Sequence, residues 1–191
     1  MWAADVGDGV VEVDETFVGG ASIGRFGAST TKATVMVAVE KPGPGRKLGR
    51  IRLGLADRPN TLGLVAFATN SVVPGSTIHI DGARMMRRLS ELGYTHEYAT
   101  GYTAPDPAAV LPGVHLTASL LKRWLTGTLR YGVAEHQRPY YLDEFTFRFN
   151  RRNATSRGLL FCRLLPQAVH TDPHPLEDLL DPDSNPYLGW S

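Results

Sequence analysis

The chain has 191 residues, 42% hydrophobic and 20% charged, with a formal net charge of +1. That length suits one domain with an ample core, and the composition excludes a disordered chain. One cysteine, Cys162, excludes a disulfide framework within the chain; no apolar run approaches a membrane span, and no basic region leads into an apolar stretch at the start, so a soluble, cytoplasmic protein with no membrane partner is expected.

The charge is unevenly placed. All 20 basic residues lie before Thr171, whereas the stretch after it holds five acids (Asp172, Glu177, Asp178, Asp181, Asp183) and no Lys or Arg. Residues 1–170 therefore read as a core of net charge +6, suited to a DNA backbone, and residues 171–191 as an acidic, flexible tail.

In chain order, Val10 to Val18 alternates apolar and acidic residues as a strand does, and Gly19-Gly20 stops it. The glycine-rich residues 21–31 contain no phosphate-loop pattern and read as a hairpin connection. Strands are predicted over 33–40 and 50–56, separated by Pro42-Gly43-Pro44-Gly45, so that the first three strands form a meander. Helical spacing over 62–73 leads through Pro74-Gly75 to a strand ending at Asp81, and the intervening helix is the crossover a parallel strand needs. Residues 83–92 read as a short helix with Arg84, Arg87 and Arg88 outward, and 94–99 as a last strand whose His96 and Glu97 face opposite sides. A proline-bearing loop over 103–112 precedes a helix that Gly127 is expected to end.

Two strands ending in aspartate at one sheet edge would bring Asp14 and Asp81 close enough to share a divalent metal. An oxygen-only carboxylate site suits magnesium or manganese. Either aspartate alone reads as an ordinary strand-end turn former. Glu15 faces away from Asp14 unless a bulge turns it inward. In the helix from Val114, the residues His115, Ser119, Lys122 and Thr126 fall within about a quarter turn of one another, while Leu116, Leu120, Leu121, Trp124 and Leu125 are expected to cover the packing side. Taken singly, such a histidine is usually a surface or cap residue and such a lysine a solvated one.

The run VEVDETFVGG, then HIDG, then VHLTASLLKRWLTGT, YLDEFTFRFNRR and SRGLLFCRLLPQAV resembles the ISXO-like branch of bacterial insertion-sequence transposases, from about Gly9 to Val169. The resemblance implies an α/β fold of RNase H-like type: a mixed sheet, an antiparallel meander followed by parallel strands, flanked by helices. It implies a DDE-type catalytic core in which three residues bind two metal ions, magnesium or manganese. By position these are Asp14, Asp81 and His115, the last standing seven residues before Lys122. Histidine there departs from the commonest acidic triad; it brings no negative charge and favours manganese or zinc more than magnesium. Asp14 would bridge both ions, and Lys122 would contact DNA near the scissile bond. DNA, as element ends and target, would be the partner, and the active form a homo-oligomer in the bacterial nucleoid. The family's usual N-terminal zinc ribbon and helix-turn-helix have no counterpart here, so a core fragment, a truncated gene product or a core with a separately encoded recognition module is expected. A non-catalytic DNA-binding remnant and an RNase H-like nuclease are the alternatives.

The segment 140–152 fits strand or helix by pattern, and the resemblance tips it to helix, with Asp143 and Glu144 on the surface and Arg148, Arg151 and Arg152 as a basic end. Residues 156–169 read as a last apolar helix in which Cys162 is a buried packing residue.

Overall fold

The computed structural model describes residues 9–19, 32–41, 48–56, 60–81, 86–99, 110–128, 137–156 and 158–170. The chain divides into two compact units, Met1–Val133 and Ala134–Ser191. In the first, strands β1 (Val10–Val18), β2 (Ala33–Lys41), β3 (Ile51–Ala56), β4 (Thr77–Asp81) and β5 (Thr95–Ala99) form one sheet in the order β3-β2-β1-β4-β5. The first three strands are an antiparallel meander, and β4 and β5 add to it in parallel. Parallel neighbours cannot be joined by a hairpin, and helices α1 (Thr61–Ser71) and α2 (Met86–Glu91) lie in the connections leading into β4 and β5.

The period of two along β1 sorts its side chains. Val11 and Val13 pack with Met36 and Ala38 of β2, Ile78 and Ile80 of β4, and Leu64, Val65, Ala68 and Leu89 of the two helices. The other face of β1 presents Glu12 and Asp14, beside Val39 and Val37 of β2. Helix α3 (Pro112–Thr128) packs against β2 and β1. With helices to cover it, β2 is buried at every residue from Thr34 to Val39, which is why its sequence is nearly continuous Val, Met and Ala. Helix α1 starts at Asn60, whose side chain accepts from the Gly63 amide at 2.6 Å. Gly54 on β3 gives Phe67 of α1 room: a Cβ there would stand 3.0 Å from the ring.

In the second unit, α4 (Arg138–Asn150) buries Leu142, Phe145 and Phe149, with the two rings 5.9 Å apart. The segment is thus a helix, as the resemblance implies. Arg148 pairs with Glu144 one turn back at 2.6 Å, and Arg151 and Arg152 lie over the rings of Phe147 and Phe149 at 3.9 and 4.1 Å. Helix α5 (Gly158–His170) contains Pro166, which forgoes one helix hydrogen bond.

Four expectations are corrected. Asp14 does not end its strand: β1 runs on to Val18 because β2 continues to pair with it as far as Ala33. Gly127 does not end α3, which includes Thr128; a glycine cap needs a positive φ, which Gly127 lacks. Leu116 is 47% exposed, since the buried arc of α3 is Val114, Thr117, Ala118, Leu121 and Leu125 and Leu116 lies almost opposite its centre. Cys162 is exposed, as are Leu159, Phe161, Leu164, Leu165 and Val169 around it, so an apolar run here does not amount to burial. The readings for 21–31, 83–85, 103–109 and 171–191 lie outside the described residues.

The two leucines of α3 separate pattern from packing. Leu121→Ala is expected to cost about 2–5 kcal/mol in denaturant unfolding, and Leu116→Ala to stay within about 0.5 kcal/mol; equal losses would contradict the buried arc.

Candidate active site

Strands β1 and β4 set the site. Val10 is level with Thr77, Val11 with Ile78 and Glu12 with His79, so carrying the register forward two residues puts Asp14 level with Asp81. Val11, Val13, Ile78 and Ile80 occupy the core face, which turns Glu12, Asp14, His79 and Asp81 to the opposite one. Asp81 is exposed at the end of β4, whereas Asp14 is partly buried within β1. The ladder between the two strands pairs residues 10–12 of β1, so both aspartates lie just past its end, where the strands no longer satisfy one another.

His115 stands in the first turn of α3, exposed, with its amide bonded to the Leu111 carbonyl at 3.0 Å. Lys122 is exposed two turns on, about 10 Å along the axis. Ser119 and Thr126 share that exposed side, and the Thr126 hydroxyl donates to the Lys122 carbonyl at 2.7 Å.

Electrostatics tie three of these groups together. Burial raises the Asp14 carboxyl above the ordinary aspartate range, a hydrogen bond from the Glu15 backbone opposes this, the Asp81 charge raises it further, and His115 lowers it. Asp14 is thus within electrostatic reach of both residues expected beside it. Among the described residues, however, no three His, Cys, Asp or Glu side chains are gathered closely enough to hold a metal. By donor chemistry two carboxylates and an imidazole suit a divalent ion, and burial of Asp14 disfavours the negative charge that a cation would relieve. The β1–β2 register is uninterrupted from Val10 to Val18, so no bulge brings Glu15 to this side; its carboxyl is raised by burial and by Asp14.

Two features went unread in the sequence. Glu12, 1% exposed, accepts from the backbone amides of Gly113 at 2.7 Å and Val114 at 3.1 Å, and Lys41 Nζ lies 3.5 Å from its other oxygen. Its only sequence signal was the alternation that puts it on the Asp14 face. His79, level with Glu12, pairs across the sheet with Glu97, and this hydrogen bond holds the Glu97 carboxyl below its usual range. His96 bonds instead to Ser90 of α2 at 3.1 Å, so His96 and Glu97 do face opposite sides.

The raised Asp14 carboxyl has a stability consequence. A folded-state value above the unfolded one means that ionising Asp14 weakens the fold; the penalty is absent below the ordinary aspartate range and complete above the raised value. Asp14→Asn should therefore raise the metal-free melting temperature at neutral pH, with the difference vanishing in acid. Within α3, Thr117 Oγ1 is buried with no hydrogen-bond partner among the described residues. Thr117→Val should leave chemical-denaturation stability unchanged or raise it by about 1 kcal/mol; a loss of that size would reveal a hidden partner.

The comparisons with known proteins bear on the fold and the family. No curated protein sequence matches the chain. Among solved structures it is similar to a chain in the cryo-EM structure of the simian T-cell lymphotropic virus intasome in complex with PP2A regulatory subunit B56 gamma, with a TM-score of 0.52 and 14% identity. That match covers 81% of this chain and 52% of the other, so this chain spans about half its length. At such identity the likeness speaks for the fold alone, which is RNase H-like. The model of the ISXO2-like transposase domain matches residues 7–150, well over half of the sequence and including all four candidate site residues. The chain belongs to the ISXO2-like transposase domain family.

Proposed function

We propose that this chain is the catalytic core of an insertion-sequence transposase that cleaves a DNA strand at the element end and transfers it to target DNA. The observation that carries the reading is the position of Asp14: level with Asp81, within electrostatic reach of His115 and held where burial disfavours its charge. Asp14, Asp81 and His115 would hold two divalent ions, magnesium or manganese, which when bound supply the Lewis acidity that phosphoryl transfer needs. Asp14 would serve both positions, being the group that senses the other two. Asp81 at the strand end and His115 on the helix, both exposed, would supply the remaining ligands.

Lys122 lies on the same exposed side of α3 as His115 and would place one positive charge against a backbone phosphate. Hydrolysis of one phosphodiester would leave a 3′ hydroxyl, and attack of that hydroxyl on a target phosphodiester would join the strands and release a new 3′ end. Element ends and target DNA are the partners in this scheme. A homo-oligomer bridging two ends is the assembly it calls for. Among the described residues, no helix is long and apolar enough to cross a membrane.

The test is nicking of supercoiled plasmid with magnesium or manganese. Wild type should nick, and Asp14→Asn should lose at least about a thousandfold in rate while remaining folded. Lys122→Ala should lose about 10- to 100-fold with metal affinity unchanged. Retained nicking by Asp14→Asn would overturn the assignment. DNA binding without nicking by the wild type would make the chain a non-catalytic remnant.

A further inference from the structure

Glu12 is a fully buried carboxylate in the middle of a sheet face, two residues from Asp14. An anion in such a place is costly unless hydrogen bonds or counter-charge answer it. Here one oxygen takes two backbone N–H groups in the first turn of α3, and Lys41 stands near the other. The first turn of a helix has amides without partners and a positive dipole end, so it is matched to an anion. The local sequence has no cap of its own to offer: Val110-Leu111-Pro112 contains no Ser, Thr, Asp or Asn. The cap comes from a strand 101 residues away.

The seat is also close-fitted. A Cβ on Gly113 would stand 2.8 Å from Glu12 Oε2, 3.1 Å from Leu48 Cδ2 and 3.2 Å from Val39 Cγ1. Only glycine lets the helix come this near β1. His115 follows Gly113 by two residues, and Asp14 follows Glu12 by two. The bond between Glu12 and Gly113 is therefore a direct link between the strand that carries one candidate ligand and the helix that carries another.

From this geometry we infer that Glu12 is a positioning residue: its carboxylate docks the first turn of α3 on β1 and so fixes His115 relative to Asp14. The inference rests on the proposed function for what that placement serves, but the docking itself is measurable without catalysis. Glu12 touches no reacting atom in this scheme. Its effect on metal and DNA chemistry passes through the position of α3.

The experiment compares Glu12→Ala, Glu12→Gln and Gly113→Ala by amide hydrogen exchange and by manganese calorimetry on the full chain. Glutamine keeps an oxygen acceptor for both amides, whereas alanine keeps none. In Glu12→Ala, exchange at Gly113 and Val114 should rise about 10- to 100-fold, as expected for losing a hydrogen bond to a charged group, and manganese affinity should fall about tenfold or more through ligand misplacement. Glu12→Gln should recover most of both. Gly113→Ala, which leaves the carboxylate intact but crowds its seat, should reproduce the loss of affinity, and it decides the matter if Glu12→Ala does not fold. Loosened amides with unchanged manganese affinity would make Glu12 a structural cap and overturn the positioning role alone. Unchanged exchange at Gly113 and Val114 in Glu12→Ala would overturn the docking. A wild type that binds no manganese would overturn the proposed function, and with it the role at the metal, while the exchange data would still report on the docking.

Discussion

The contact on which the candidate site depends is a carboxylate bonded to the first turn of a helix. Glu12 sits on the central strand and accepts from two amides of α3, so the helix is referenced to the sheet at the point where the candidate ligands begin. Apolar packing also holds α3 to the sheet. Packing of Val114, Ala118, Leu121 and Leu125 is strong but non-directional, and it tolerates sliding and rotation that a metal site does not. A hydrogen-bonded anion at a dipole end is directional, which makes it the better means of fixing register between helix and strand.

The sheet supplies the second constraint. Adding a parallel β4 beside β1 sets Glu12 level with His79, and two residues further along the same face the register leads to Asp14 and Asp81. The core face must be apolar, and Val11, Val13, Ile78 and Ile80 make it so; the polar residues alternating with them are thereby gathered on the α3 side. The result is a row of Glu12, His79 and Glu97 next to a row containing Asp14 and Asp81. In the first row His79 pairs with Glu97, and Glu12 takes the amides of α3 and Lys41. In the second, burial raises the Asp14 carboxyl and the Asp81 charge raises it further. Sites poised for cations carry such a cost in the metal-free state, because groups arranged to satisfy an ion do not satisfy one another.

Much of this was legible from residues alone where the signal was local. Period-two alternation marked β1 and β4, the proline-glycine turn before β4 marked its start, and the order of strands and helices matched an RNase H-like meander with crossovers. The expectation for Asp14 and Asp81 came from alternation and the family's motif order, and that for His115 from its place seven residues before Lys122; their roles belong to the proposed function. The packing side of α3 was less so. Its leucines suggested a stripe including Leu116, whereas the buried arc passes through Thr117 and Ala118, since which side of a helix is covered depends on the surface it meets and not on its most apolar residues. Cys162 was misplaced for the same reason: an apolar neighbourhood in sequence does not guarantee a partner in space.

The sequence by itself determined the elements, their alternation and the identity of the acidic and basic side chains, because hydrophobic period, turn residues and motif order are properties of neighbouring positions. The tertiary structure alone decided that Glu12 is level with His79, that Glu12 is buried and not a surface acid, and that Gly113 sits where a Cβ would stand 2.8 Å from the Glu12 carboxylate. Strand register and helix docking are set by contacts between residues far apart in the chain. The bond from Glu12 to Gly113 spans 101 positions, and no local pattern in β1 or α3 announces a partner at that distance.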